Sequence, residues 1–499
     1  MLSTRRHTGV LALAALAVFG APLAAAAQQP AGLTLEQAVA TAREGNPDLL
    51  AQRNDQRGTR AALRSARADL YLPSANAQAN LGYTGSGVQR LGAQVFGVRP
   101  QYYSSGYFVG LQYDFSGAKL MQPRIARAQD NATARRVEGY EANMLSQVAQ
   151  QYLTALQAGE LASQAEREVA RTVEHERLAK ARLEVGAGTP LDVRRAEVQR
   201  GQAEVTLLQQ RNAYATEVLR LGQAMGQPIP SNTPLTSTFT LFEPRWTAES
   251  LVEMAQGNNP NLASARADVS AARTGIRAAR TQYLPSVSLS AGLTGSVYSA
   301  GNLDPLYKSA IDGSQRSYAG CLQGNQLNAL LGNPQQSCSA FDISNPLVVD
   351  SLRGAVRAAN PSFPFGYERQ PLSAGVSFSL PIFNGLQRER RIEEARVSAQ
   401  DAELSLRSQE LRLRTEVETS LLALRTAYGS AQLQQQVVER AGEELRLAQE
   451  RFRFGAASSV EVVDAQTSLR EAERARIDAV YNFHKSLAAL EALVGRSLR

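Results

Sequence analysis

The chain has 499 residues, a formal net charge of +7 and only 6% aromatic residues. So few bulky rings cannot fill several ordinary globular cores, whereas a composition led by Ala, Gln, Arg and Glu suits long helices that pack closely through small side chains. The positive charge is spread over mixed-sign helix faces without a basic block or aromatic–basic interleaving, which speaks against a nucleic-acid partner.

Arg5 and Arg6 precede an apolar run from Val10 to Phe19, and Ala25, Ala26 and Ala27 supply a small-residue cleavage pattern, so residues 1–27 read as a secretory signal peptide. Beyond it no run of about 18 apolar residues occurs, so a membrane span has to be a β-barrel.

A helical pattern of Ala and Leu opens at Thr34 and stops at Tyr71, Leu72 and Pro73. Its copy opens at Trp246 and stops at Tyr283, Leu284 and Pro285. Asn46 and Pro47 match Asn259 and Pro260 at an offset of 213, while the Tyr-Leu-Pro stops match at 212, so one residue is gained or lost inside the helix. Proline pushes its predecessor toward extended geometry, and both helices are expected to hand over to strands there.

Ala75, Ala77, Ala79, Leu81 and Tyr83 then alternate with Asn76, Gln78, Asn80 and Gly82; Val287, Leu289, Ala291 and Leu293 alternate with Ser286, Ser288 and Ser290. Return strands repeat the period through Val109, Leu111 and Tyr113 and through Ala374, Val376 and Phe378. Four strands are expected over about 74–84, 106–116, 286–297 and 372–382, close to the length of a tilted membrane strand. A single such hairpin is equally a half-buried hairpin of a soluble sheet; the signal peptide and the fourfold recurrence favour the membrane. The loop at about 85–104 is short. The loop at about 298–371 is rich in Gly, Asn, Ser and Pro and holds the only cysteines, Cys321 and Cys338, which in an exported protein pair as a disulfide.

After Pro123 and Pro381, proline-free helical patterns run over about 124–185 and 386–454, each on the order of 95 Å long. Each ends in a tip. Arg182, Leu183, Gly186 and Asp192 recur 269 positions later as Arg451, Phe452, Gly455 and Glu461. The glycine can take the positive φ that ends a helix, and a nearby Ser or Thr can cap the next. Shorter helices return to Gly226 and Gly495. The chain thus divides into a repeat over 28–227 with its tip at 186–190, a Pro-rich linker over 228–245 with a short strand around 238–242, and a repeat over 246–499 with its tip at 455–459.

Four strands cannot close a barrel. Two copies give eight strands, whose interior fills; three give twelve, which leave a lumen lined by Ser, Asn, Gln, Thr and Gly.

At this point the chain resembles the TolC family of trimeric outer-membrane efflux and export channels, through the two Tyr-Leu-Pro stops, the two Gly-centred tips and the repeat that carries them. The resemblance implies an α+β membrane protein: a duplicated helix-strand-strand-helix-helix repeat, four strands per chain in a 12-stranded trimeric β-barrel, joined to a long α-helical periplasmic barrel. It implies a homotrimer in outer-membrane lipid whose tips meet a periplasmic adaptor attached to an inner-membrane pump. It also implies that Asp192, Glu461 and Asp464 form the periplasmic gate and a cation-selective ring. As residues alone, Asp192 and Glu461 read equally as first-turn acids favoured by the helix dipole.

Arg182, Leu183, Gly186, Arg451, Phe452 and Gly455 are the expected adaptor contacts, with the last heptad packing inside the chain as the rival reading for Leu183 and Phe452. Closed family members carry a basic residue two positions after the second tip glycine; here Ala457 stands there, with Arg451 or Arg453 as substitutes. No phosphate loop, nucleophile motif or His/Cys cluster is present, so neither an enzyme, a cofactor nor a metal is expected. The alternative from another class is a soluble periplasmic coiled-coil scaffold.

Overall fold

The computed structural model describes residues 32–498; the signal peptide read at 1–27 lies outside them. These residues fall into two compact units, one from 32–49, 141–251 and 417–498, the other from 50–140 and 252–416, so each unit draws on both repeats.

The first unit is helical. Helix α1 (Leu35–Gly45) opens on a capping box in which Gln37 N donates to Thr34 Oγ1 at 3.2 Å and Thr34 N to Gln37 Oε1 at 2.9 Å. The expected single helix to Tyr71 is in fact two, because α2 (Pro47–Tyr71) starts afresh at Pro47. Pro47 forces Asn46 to ψ 120°, and the Asn46 side chain turns the break into a start: its Oδ1 accepts from Asp48 N and Leu49 N, and its Nδ2 donates to Ala224 O at 3.0 Å. The second repeat breaks at the equivalent point into α5 (Ala248–Asn258) and α6 (Pro260–Arg280), with Asn259 as the cap. Gly226 at φ 82° ends α4 (Pro190–Met225), and a Cβ there would lie 2.6 Å from Asn46 Cα, so both backbone and space demand glycine.

The few aromatic residues of this unit gather round the linker. Phe242 packs edge-on to Phe483 at 5.5 Å, and Tyr428 lies 5.9 Å from Phe483, both against α10 (Ser459–Val494). The strand expected around 238–242 does not form. Its rings are used for packing, and the linker pairs only once, Leu33 beside Leu235 in parallel. The fully buried Tyr152 clamps that bridge: its hydroxyl donates to Leu33 O at 2.8 Å and accepts from Ser237 N at 3.2 Å.

In the second unit the sheet runs β1 (Ser74–Thr84), β4 (Tyr102–Phe115), β5 (Ser286–Ala300) and β7 (Ser373–Ser379), all antiparallel. Its register lines up two opposed faces. Ala77, Val109 and Leu293 share one row, as do Leu289 with Tyr113 and Val376; the rows between hold Asn76 with Gly110 and Gly292, and Ser290 with Gln112 and Gly375. The apolar face is bare over most of its length, with Leu81 72% exposed, Val376 73% and Phe378 67%; near Ala300 it is covered, where Tyr367 packs edge-on to Tyr107 at 5.0 Å and Val297 is buried. The last strand is shorter than expected, ending at Ser379 just before Leu380 and Pro381; on the other side of Pro371 a two-residue piece, β6 (Glu368–Arg369), continues along the same edge of β5 with the register moved by one.

Three further expectations change. Helix α3 (Gly117–Glu184) begins before Pro123, which sits in its second turn, where the lost donor leaves only the Lys119 carbonyl without its helical partner. The loop at 85–104 contains a hairpin, β2 (Gly87–Leu91) and β3 (Gln94–Arg99). The loop at 298–371 is largely helical, with α7 (Asp304–Leu330) and α8 (Pro346–Ala359); Pro305 and Pro346 occupy first-turn positions, and Asn345 caps α8 through Leu347 N at 3.0 Å. Cys321 and Cys338 are bonded, Cα–Cα 5.8 Å.

Replacing Tyr152 by Phe leaves Ser237 N unpaired and takes one of two donors from Leu33 O, which keeps Thr236 N, in a part-buried site; the expected loss is about 1 kcal/mol, read as a lower denaturation midpoint of the purified protein.

Candidate functional site

The two tips lie in the first unit and are built alike. Helix α3 ends with Gly186 at φ 77°, and helix α9 (Gln387–Arg453) with Gly455 at φ 77°. In each, the glycine N–H returns to the carbonyl three residues back (Leu183, Phe452) at 3.0 Å and the next alanine N–H to the carbonyl five back (Arg182, Arg451) at 2.8 Å. This pair of bonds uses up the last free carbonyls of the helix and turns the chain sharply. The matching arginines brace the turn: Arg182 Nη2 donates to Ala187 O at 2.9 Å, and Arg451 Nη2 to Ala456 O at 3.1 Å.

Each tip then starts a helix on a capping box. Asp192 N donates to Thr189 Oγ1, whose own N–H and O–H donate to Asp192 Oδ2 at 3.2 and 2.7 Å; Glu461 N donates to Ser458 Oγ, and Ser458 N to Glu461 Oε1, both at 3.3 Å. Both candidate gate acids thus hold a local post, at the end of the helix where negative charge is favoured. Arg451 also pairs with Glu461 at 3.1 Å, joining the helices across the second turn. Arg453 makes no ion pair among the described residues, and Ala457 packs on the apolar cluster below. Asp464 is exposed and has no hydrogen bond or ion pair among the described residues, so it is the tip acid that no local bond holds.

The expected contact residues do not form one exposed patch. Phe452 is only 4% exposed, sunk among Leu445, Val462, Ala465 and Leu469, and is no surface for a partner. Arg182 covers its ring at 4.3 Å and donates to its carbonyl. The apolar residue of the second tip is thereby locked to a cation of the first. Leu183, at the equivalent position, stays 37% exposed. Arg182, Leu183, Arg451 and the two glycine turns remain at the surface of the tips.

One residue escaped the sequence reading. His175 is buried with its ring 5.7 Å from that of Phe452, and it lies one heptad before Arg182, the spacing that would have placed it on the same helix face. Burial pushes its pKa below the ordinary value, against the attraction of Asp192. A folded-state value below the unfolded one means that the neutral ring favours folding above about pH 6.5 and that this contribution is lost as the pH falls further.

The Outer membrane efflux protein family model matches residues 38–227, 251–326 and 347–496. The Outer membrane efflux protein BepC of Brucella suis is 26% identical over 262 residues, half of this chain and 55% of its own length. The probable efflux pump outer membrane protein TtgC of Pseudomonas putida is 25% identical over 463 residues, 89% of this chain and 79% of its own. The solved outer membrane channel CmeC of Campylobacter jejuni aligns with a TM-score of 0.65 at 16% identity, over 92% of this chain and 85% of that one, a likeness of fold.

Replacing Thr189 or Ser458 by Ala is expected to cost about 1 kcal/mol of local stability each, seen as faster hydrogen exchange in the first turn of α4 or α10 and nowhere else. Lowering the pH from neutral to below about 6 should lower the protection of the α3 tip amides, measured as exchange relative to the intrinsic rate at each pH, and His175→Phe should remove that change in protection.

Proposed function

Because the chain belongs to the outer membrane efflux protein family, we propose that three copies form a channel-tunnel that passes substrates from a periplasmic adaptor and an inner-membrane pump to the exterior. The observation that carries this reading is the sheet. One face is apolar and bare over most of its length while the rows of the other hold mainly Ser, Asn, Gln and Gly, and β1 and β7 each have one edge unpaired among the described residues. In water such a face is a liability; in lipid it is the outer wall of a barrel, and the open edges call for neighbouring copies. A soluble scaffold would leave both the face and the edges exposed.

Aromatic rings mark the two borders of that wall. Tyr83, Tyr103 and Phe363 stack at one end, with Tyr83–Tyr103 and Tyr103–Phe363 both at 5.3 Å, and Tyr113 and Phe115 stand at the other. Tyr103 and Tyr113 are ten residues apart, about 24 Å along the normal for a strand tilted by about 45°, matching the apolar band of a membrane barrel. On the helices, Leu191, Val198 and Val205 of α4 and Val397, Leu404 and Leu411 of α9 repeat every seventh position and are exposed, the stripes a packed homotrimer would bury.

At the tips, Asp192, Glu461 and Asp464, repeated three times round an axis, would ring the narrow end with negative charge and favour cations. Arg182, Leu183 and Arg451 beside the glycine turns would meet the adaptor. What is exported is set by the pump that feeds the channel.

The test is single-channel recording in planar bilayers, wild type beside Glu461→Gln/Asp464→Asn. Gln still serves a capping box, so the variant removes charge and keeps the fold of the tip. Small cation-preferring pores that lose their preference in the variant are expected. Pores with the same preference in both would remove the acids from the gate, and inserted trimers that never conduct would contradict the passage itself.

A further inference from the structure

The insertion between β5 and β6 has a placement that a plain conduit does not require. Helix α7 leaves from Ala300 and α8 returns to Asn360, and these ends are pinned together: Asn360 Oδ1 accepts from Ala300 N at 2.7 Å and its Nδ2 donates to Ala300 O at 3.2 Å. The Cys321–Cys338 bond and the bond from Ser314 Oγ to Phe341 O at 3.1 Å tie α7 to the segment leading into α8. The pair is therefore a stapled body on one root. It stands at the end of the sheet away from the one where α6 leads into β5 and α9 leaves β7.

The root rests on the polar face. Leu306 and Ala310 of α7 and Val356 of α8 line a cavity of about 480 Å³ together with Tyr102 and Tyr298. Both tyrosines hold polar-row positions in the register, Tyr298 opposite Ser104 and Tyr102 opposite Ala300. If that face lines a passage, the helices stand inside the rim rather than on the lipid side. Residues 304–359 carry four acidic and four basic side chains, so the body has no net charge. Its far end bears Leu327, Leu330, Leu331 and Leu347, each more than half exposed. Three copies round one axis would bury these leucines against each other. The stretch 327–346, at this far end, is the part that the family match passes over.

We propose that α7 and α8 form a barrier at the outer mouth, where three disulfide-stapled helix pairs of zero net charge meet through their leucines over the lumen and limit the size of what passes that end. The proposal rests on the channel reading above. It assigns size selection to the outer end and leaves ion preference to the acidic tips, because a constriction that closes on apolar residues and carries no net charge filters by width.

The test uses intact cells expressing the full chain with Ser290→Cys, a polar-row position deeper along β5. A small charged maleimide and a bulky poly(ethylene glycol) maleimide are offered from outside. In the full chain the small reagent should label and the bulky one should not; replacing residues 304–359 by a short Gly-Ser link should admit the bulky reagent. Asn360→Ala, which unpins the root without removing it, should admit it in part, and serves if the deletion does not assemble. Labelling of the full chain by the bulky reagent as complete as by the small one would overturn the barrier while leaving the channel standing. No labelling by either reagent in any form would mean that the polar face lines no open lumen, and the channel reading would fall with it.

Discussion

Backbone hydrogen bonding at the edges of a four-stranded sheet is the constraint from which the rest follows. Strands β1 and β7 each offer a row of N–H and C=O groups with no partner in the chain, beside an apolar face that water would not tolerate. Lipid supplies no hydrogen bonds, so the edges have to be met by other strands of the same kind. Symmetric closure by further copies satisfies them without new sequence. The small, wettable residues of the opposite face then become a lining, and the exposed heptad stripes of α4 and α9 become seams.

The tips show how one local rule can serve two ends. A glycine at positive φ, a pair of returning amide bonds and a capping box suffice to reverse each helix, and the acid at the third position of α4 or α10 is needed for that alone. In the channel reading proposed above, charge that stabilises a helix start would also stand at the narrow end of the passage. Asp464 differs, since no local bond claims it. The two tips are further linked by the Arg182–Phe452 contact, which fastens one hairpin end to the other through a ring and a carbonyl.

Much of the fold was legible because its signals are local. Period-two alternation placed β1, β4 and β5 to within a few residues, and Gly186, Gly455, Gly226 and Gly495 marked helix ends that adopt positive φ. Most of the failures involve proline, which the sequence reading passes through at Pro47 and Pro260 and takes as a breaker elsewhere. Pro47 and Pro260 begin helices, Pro305 and Pro346 open the insertion, and Pro123 lies within α3. At three of the starts the residue before the proline is the cap, as Asn46, Asn259 and Asn345 are, whereas α7 opens at Pro305 without a side-chain cap. The burial of Phe452 was legible only as the rival reading, the last heptad packing inside the chain; its cover by Arg182 and His175, some 270 residues earlier, was not.

The central claim, closure of the sheet by copies of itself, is tested most directly by cross-linking edge to edge. Cysteine pairs would be placed along the outer edges, one partner in β1 at positions such as Gln78 and one in β7 at positions such as Ser377, and oxidised in native outer membranes. The account predicts a covalent trimer on a denaturing gel without reductant, with one register of pairs reacting best. Chains that remain monomeric at every register, although the protein sits folded in the membrane, would contradict it.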